Sequence, residues 1–294
     1  IGLGVEEGDL TPRGAGLMTA VCAALLSHTA FMLPDMKQPA ARLNDIRKRA
    51  RVALAVDEKG VRPFGEAQPS EAGRGRIAYL VATSGSSGEP KLVEVGEDAL
   101  ANFAAQMGAF YGRSAVLSLC SVMFDAFMIE SVCALLNART IVIAKDCEMN
   151  DPEALGRLMR AYDAGFLAMT PSRMTAYLEN ETFRNALFHA ESLVLGGERF
   201  PETLLQKLKK LTNARIYNQY GPSEATVCVS AALLNGADEV TCGCALPGCR
   251  VYILDEALRP VPQGTVGEIC ISGVCLACGY RGDEAATGAA FVSA

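Results

Sequence analysis

Short apolar runs rich in β-branched residues alternate with stretches of helical spacing along most of this chain. The runs at 77–81, 92–95, 115–119, 140–144, 166–169, 193–195 and 215–218 have the length and composition of buried strands. Between them lie predicted helices over 97–111, 125–137, 152–164 and 201–211, and a further helix that Pro171 opens. Asp151 stands as N-cap ahead of Pro152, and proline is tolerated in a first helical turn. The front of the chain reads helix (14–27), strand (29–33), helix (41–51), strand (52–56), with a polar, glycine-rich loop over 65–75. Strand–helix alternation of this kind predicts an α/β fold of doubly wound, mostly parallel sheets with helices on both faces. Ligands then bind beyond the carboxyl ends of the strands. After about residue 225 the pattern becomes β-rich, over 227–234, 250–254 and 266–271, with no good helix. The expected organisation is an α/β core of two interleaved subdomains over 1–225 and a partial β-barrel subdomain over 226–294.

The 294 residues are 50% hydrophobic and 20% charged, enough to bury a large core. The net charge of −6 and the lack of a basic block argue against a nucleic-acid or anionic-membrane surface. Residues 16–33 are apolar, but Thr19, Ser27, His28 and Thr29 interrupt them, so a buried helix and strand fit better than a membrane span. The first residues lack the basic start and continuous apolar core of a signal peptide, and the missing initiator Met suggests a fragment. Eleven cysteines in a chain this long do not read as a secreted disulfide framework; Cys22, Cys120, Cys133 and Cys228 sit inside apolar runs as small hydrophobes. The spacing of Cys242, Cys244, Cys249, Cys275 and Cys278 is not that of a standard zinc finger. A cytoplasmic location is expected.

Candidate chemistry concentrates in four stretches. Thr83, Ser84, Ser86 and Ser87 crowd around Gly85 and Gly88, followed by Pro90 and Lys91. Inward-pointing backbone N–H groups, rotatable hydroxyls and a lysine suit a polyphosphate. The spacing is not that of the common nucleotide loop, and a ligand-free hairpin is the bland alternative. Asp125 opens a predicted helix that is apolar nearly all round. It reads either as N-cap or as a carboxylate receiving an ammonium group in a dry pocket. Gly196, Gly197 and Glu198 end a strand where a flat group can approach the backbone, or simply turn the chain. In Asn218-Gln219-Tyr220-Gly221-Pro222-Ser223-Glu224, Tyr220 offers a stacking face, Ser223 a donor and Glu224 a ligand for Mg²⁺ on phosphate oxygens.

Ser84 to Lys91 resembles the phosphate loop of adenylate-forming enzymes, although Leu92 replaces the glycine that often follows the lysine. The 218–224 stretch is similar to the N-x-Y-G-P-[ST]-E signature of that superfamily. VGEICISGVCLACGY over 266–280 matches a third signature, with Cys278 in place of the usual arginine. The chain most resembles the adenylation domain of a nonribosomal peptide synthetase, over its large N-terminal lobe.

That resemblance implies that Thr83, Ser84, Gly85, Ser86, Ser87, Gly88, Lys91, Gly197, Glu198, Asn218, Gln219, Tyr220, Gly221 and Ser223 bind ATP. Lys91 and Glu224 are the implied catalytic groups, with Mg²⁺ on Glu224. Asp125, Ala126, Ile129, Ala168, Val194, Gly196, Gln219, Val227 and Cys228 would line the amino acid pocket. Only Asp125 among these is charged, so a neutral, apolar or aromatic amino acid is expected. The implied reaction is activation by ATP to an aminoacyl adenylate and pyrophosphate, with transfer to the phosphopantetheine arm of a carrier-protein domain. The small C-terminal lobe and its lysine have no counterpart up to Ala294, so weak turnover is expected. The alternatives are an acyl- or aryl-acid ligase of the same superfamily, which has no need of Asp125, and a non-catalytic remnant.

Overall fold

The computed structural model describes residues 2–3, 14–34, 38–57, 60–63, 75–83 and 90–292. The serine–glycine loop over 84–88 and most of the glycine-rich loop over 65–75 therefore lie outside the described residues. In the first third, β1 (Gly2–Leu3), α1 (Ala15–Leu26), β2 (Phe31–Met32), α2 (Ala40–Arg49), β3 (Leu54–Asp57) and β4 (Gly60–Pro63) lead to the hairpin of β5 (Ile77–Thr83) and β6 (Lys91–Gly96). Next come α3 (Glu97–Met107), β7 (Val116–Ser118), α4 (Phe127–Glu130), α5 (Val132–Leu136) and β8 (Ile141–Ile143). They are followed by α6 (Pro152–Tyr162), β9 (Phe166–Met169), α7 (Pro171–Tyr177), α8 (Glu181–Leu187), β10 (Ser192–Gly196), α9 (Glu202–Leu211) and β11 (Arg215–Tyr220). A single 3₁₀ turn, Ser223–Ala225, precedes β12 (Ser230–Leu233), β13 (Cys244–Ala245), β14 (Cys249–Leu254), β15 (Glu268–Gly273), β16 (Gly279–Tyr280) and α10 (Glu284–Ala290).

Two seven-stranded sheets organise these elements, in the orders β16-β6-β5-β2-β1-β3-β4 and β13-β12-β11-β10-β9-β7-β8. The second sheet is parallel from β11 to β8 and antiparallel where β12 and β13 join. The first is parallel only in its middle and antiparallel at both rims, so it is more mixed than expected. Hairpins such as β3–β4 and β5–β6 need only short connections, which is why they rim a sheet whose interior is built by crossovers.

The central strands of the second sheet, β7, β9 and β10, are buried on both faces. Phe166, Ala168 and Val194 face a core shared with α1, α3, α4 and α5. Leu167, Met169, Leu193 and Leu195, one residue out of step, face a core built with α6 to α9. The first sheet repeats this: Tyr79, Val81, Val93 and Val95 face the shared core, while Leu80 and Leu92 pack in a cluster with Ile46 of α2 and its C-cap Ala50. The period-two alternation of a strand therefore yields layered helices and sheets.

Beyond residue 225 the strands are shared among three sheets. Among the described residues, β14 and β15 form a two-stranded ladder, whereas β12 and β13 extend the second sheet and β16 closes the edge of the first. A helix, α10, follows, where no good helix was expected. None of its residues is buried, so it has no apolar stripe to betray it. The helix expected over 125–137 is broken into α4 and α5 at Ser131 (φ −124°, ψ −97°), whose hydroxyl donates to the Phe127 carbonyl at 2.6 Å. Asp151 does cap α6, accepting from the Glu153 and Ala154 N–H groups.

Helix α6 meets α8 at Gly156, where a Cβ would lie 2.8 Å from the Thr182 carbonyl and 2.9 Å from the Phe183 nitrogen. In an open helix Gly→Ala stabilises by up to about 1 kcal/mol. Here overpacking reverses the sign, and Gly156→Ala should cost roughly 1–3 kcal/mol, read as a lower urea midpoint with an unchanged slope.

Candidate functional site

A cavity of about 730 Å³ opens at the carboxyl ends of β7, β9, β10 and β11, where Cys120, Ser121, Thr170, Gly197, Glu198 and Gly221 follow the strands. Leu17 of α1 and Leu33 and Pro34 after β2 line it too. All nine positions expected to form the amino acid pocket line it: Asp125, Ala126, Ile129, Ala168, Val194, Gly196, Gln219, Val227 and Cys228. Their spread over a hundred residues is gathered by the parallel strands, which end side by side.

Asp125 makes no helix cap; the N-cap of α4 is Ala126, without a side-chain bond. Its Oδ2 is sealed from solvent and has no hydrogen-bond partner among the described residues. Burial pushes the carboxyl above the usual aspartate range. The Ser223 hydroxyl and the Ala126 and Val227 N–H groups oppose that shift, and the nearby Glu224 charge reinforces it. A buried carboxylate with an open acceptor, beside the apolar Ala126, Val227 and Cys228, has the chemistry to receive a cation.

The second cluster lies where β6, the 3₁₀ turn and β16 converge. Glu224 Oε1 accepts from the Tyr280 hydroxyl at 2.7 Å, and the Lys91 Nζ sits 4.7 Å from the centre of the Tyr280 ring. The Glu224 carbonyl accepts from Ala277 N–H at 2.8 Å. Burial, and then the Glu224 bond, drive the Tyr280 phenol well above its ordinary pKa, so it is a donor at neutral pH. Lys91 and Glu224, far apart in sequence, are thus brought together. Thr83 pairs with Lys91 across β5–β6.

Three other expected nucleotide positions are not cavity-lining. Asn218 is buried, with its Nδ2 donating to the Thr241 carbonyl at 2.8 Å. Tyr220 packs at the edge of the shared core, and Ser223 sits beside Asp125. Glu198 reaches the cavity, but its carboxylate accepts from the Ser172 hydroxyl at 2.9 Å and the Ser172 N–H at 3.2 Å. At Gly196 the reason for glycine is internal: a Cβ would lie 2.5 Å from the Gln219 carbonyl of the neighbouring strand.

Several residues that position the site escaped sequence reasoning. Glu130 is fully buried in α4, and its Oε2 accepts from the Leu119 and Cys120 N–H groups, both at 2.7 Å, fixing the end of β7 at the cavity. The available signal was a single charge inside the apolar run 127–135. Thr226 and Val227 both have positive φ (58° and 68°), a strained conformation for β-branched residues that turns Val227 into the cavity wall. The Thr226 hydroxyl, donating to the Cys275 carbonyl at 2.8 Å, holds it. Among the described residues no group of three or more His, Cys, Asp or Glu side chains is arranged to hold a metal, and no helix is long and apolar enough to cross a membrane.

Comparison with known proteins places this geometry. The sequence pattern of the family described as AMP-binding enzyme matches residues 18–281. The PKS-NRPS hybrid synthetase acdB of Aspergillus candidus is 32% identical over 333 aligned residues, covering 100% of this chain and 13% of that protein. The dimodular nonribosomal peptide synthase of Bacillus subtilis (strain 168) is 34% identical over 301 residues, covering 92% of this chain and 12% of its own length. This chain therefore spans about an eighth of the length of these two relatives. Among solved structures, PA1221, an NRPS protein containing adenylation and PCP domains, superposes with a TM-score of 0.83 at 25% identity, over 99% of this chain and 62% of that one. Holo-AB3403, a four-domain nonribosomal peptide synthetase bound to AMP and glycine, gives 0.82 at 25% identity, over 96% and 22%. The chain belongs to the AMP-binding enzyme family, and it is homologous to the adenylation domains of nonribosomal peptide synthetases over their large N-terminal lobe.

Proposed function

We propose that this chain activates an amino acid with ATP: the substrate carboxylate attacks the α-phosphate, an aminoacyl adenylate forms and pyrophosphate leaves. The adenylate would then pass to the phosphopantetheine thiol of a carrier-protein domain. The observation that carries the reading is Asp125, whose sealed Oδ2 has no hydrogen-bond partner among the described residues and which lines the cavity. An α-ammonium group supplies the missing charge and donor, which an acyl or aryl acid does not.

The protein's work in such a reaction is positioning and charge neutralisation. Asp125 orients the amino acid so that its carboxylate points towards Ser223 and the Lys91–Glu224 corner. Lys91, Ser223 and the hydroxyls and N–H groups of 83–88 would hold the polyphosphate. Tyr220 and the backbone at Gly197 would meet the adenine. One carboxylate beside phosphate oxygens suits Mg²⁺, so Glu224 fits as its protein ligand. When bound, Mg²⁺ would neutralise charge on the pyrophosphate leaving group. The division into an α/β core over 1–225 and a C-terminal subdomain over 226–294 belongs to the same reading.

The walls support a neutral side chain. Ile129, Ala168, Val194, Val227 and Cys228 are apolar; of the cavity's charged residues besides Asp125, namely Asp146, Arg173 and Glu198, Arg173 is already donating to Tyr177 and to the Leu119 and Met149 carbonyls, and Glu198 accepts from Ser172. Amino-acid-dependent ATP–pyrophosphate exchange across a substrate panel tests this. Exchange is expected with large neutral amino acids. Preference for Lys, Asp or Glu would overturn the specificity, exchange driven equally by aryl or fatty acids would favour the ligase alternative, and none with any acid would leave a binding remnant.

A further inference from the structure

Tyr280 is 4% exposed, and the reaction proposed above gives it no part. Yet it joins the two groups proposed to handle the phosphates. Its hydroxyl donates to Glu224 Oε1 at 2.7 Å, and its ring carries the Lys91 ammonium at 4.7 Å from the centroid. The ring is fixed independently of both. Tyr280 N–H donates to Thr287 Oγ1 at 2.9 Å, Phe291 packs edge-on at 5.7 Å, and β16 pairs with β6 in the register Tyr280↔Val93.

We infer that Tyr280 is a positioning residue for the phosphate end of the site: its hydroxyl sets the Glu224 carboxylate for a divalent cation, and its ring face is the resting place of Lys91. The inference rests on the adenylating function proposed above. The chemistry of the donor matters. A neutral phenol fixes a carboxylate's rotamer while leaving its full negative charge available to a metal, whereas an arginine in the same place would cancel it. The ring, likewise, attracts an ammonium group without competing with it for anionic oxygen, so a polyphosphate draws Lys91 away at little cost.

Tyr280→Phe deletes only the hydroxyl and keeps the ring under Lys91 and against Phe291. Two readouts are needed: Mn²⁺ binding by electron paramagnetic resonance in the presence of ATP, and ATP affinity titrated against Mg²⁺. The expected result is a roughly tenfold higher metal requirement, the scale of one hydrogen bond to a charged group. ATP affinity at saturating Mg²⁺ and amino acid affinity should stay within about twofold, as for sites with no shared partner. Because Tyr280 acts through Glu224, Tyr280→Phe should add nothing in a Glu224→Gln background. An unchanged metal requirement with a lower Tm would reduce Tyr280 to a packing residue and overturn the inference, as would additive effects in the double variant. If the unaltered chain binds MgATP, those results strike the positioning role alone. If it binds no nucleotide at any metal concentration, the adenylating function falls and takes this role with it.

Discussion

Asp125→Asn is expected to lower amino-acid-dependent pyrophosphate exchange by roughly 10²–10³-fold, the scale of removing one partner from a buried charge pair. Ligand-free protein should at the same time melt a few degrees higher. The two effects share one cause. Burial raises the Asp125 carboxyl above its ordinary value, so the folded state binds its proton more tightly than the unfolded chain does. Stability conferred by this group is fully present below the ordinary carboxylate range and falls as pH rises through the raised value. The asparagine variant lacks that loss, so its advantage should appear as pH climbs out of the carboxylate range and level off above the raised value. Thermal scans from pH 4 to pH 8 on both proteins check the sign. A variant that melts lower than the parent at pH 8 would contradict a carboxylate that burial destabilises in the folded state.

Arg281→Met should cost about 3–5 kcal/mol, the largest stability effect expected of any single change here. Arg281 Nε lies 2.6 Å from Glu94 Oε1, and the Glu94 side chain is 3% exposed. Removing the guanidinium leaves a carboxylate inside the first sheet without this cation, and desolvation then opposes folding. Pairing Arg281→Met with Glu94→Gln should recover much of the loss, because a neutral amide costs less to keep out of water than a carboxylate. Guanidinium denaturation of the three variants, analysed as a double-mutant cycle, measures the coupling. Equal midpoints for Arg281→Met and the parent would show the pair to be solvated.

What could be read in advance follows from how each signal arises. The strand over 166–169 was expected with its observed limits because Phe166 and Ala168 enter one core and Leu167 and Met169 another, leaving an unbroken apolar run. The cap at Asp151 was readable because it is local chemistry between neighbours. The break at Ser131 was not: the surrounding residues are apolar on every side, so periodicity carried no phase to interrupt. Strand β16 is two residues long, and its partner β6 lies far back in the chain, beyond any local pattern. The nine positions expected for the pocket share no spacing; only the family resemblance could group them, and all nine are among the residues that line the cavity. Tyr280 and Glu130 act through tertiary contacts, which leave no periodic trace.

The placement of β16 also has a bearing on the order in which this protein acquires its structure. The hairpin of β5 and β6 can form as soon as residue 96 is available, but its outer edge is satisfied only when Cys278 and Arg281 donate their N–H groups to the Glu94 and Leu92 carbonyls. During synthesis that edge stays open while nearly two hundred further residues are added, a long-range closure that folds late and leaves an unpaired strand exposed in the interval. The last contact made at this edge is also the one that carries Tyr280 to Glu224, so a nascent chain completes its first sheet and its phosphate corner in the same event.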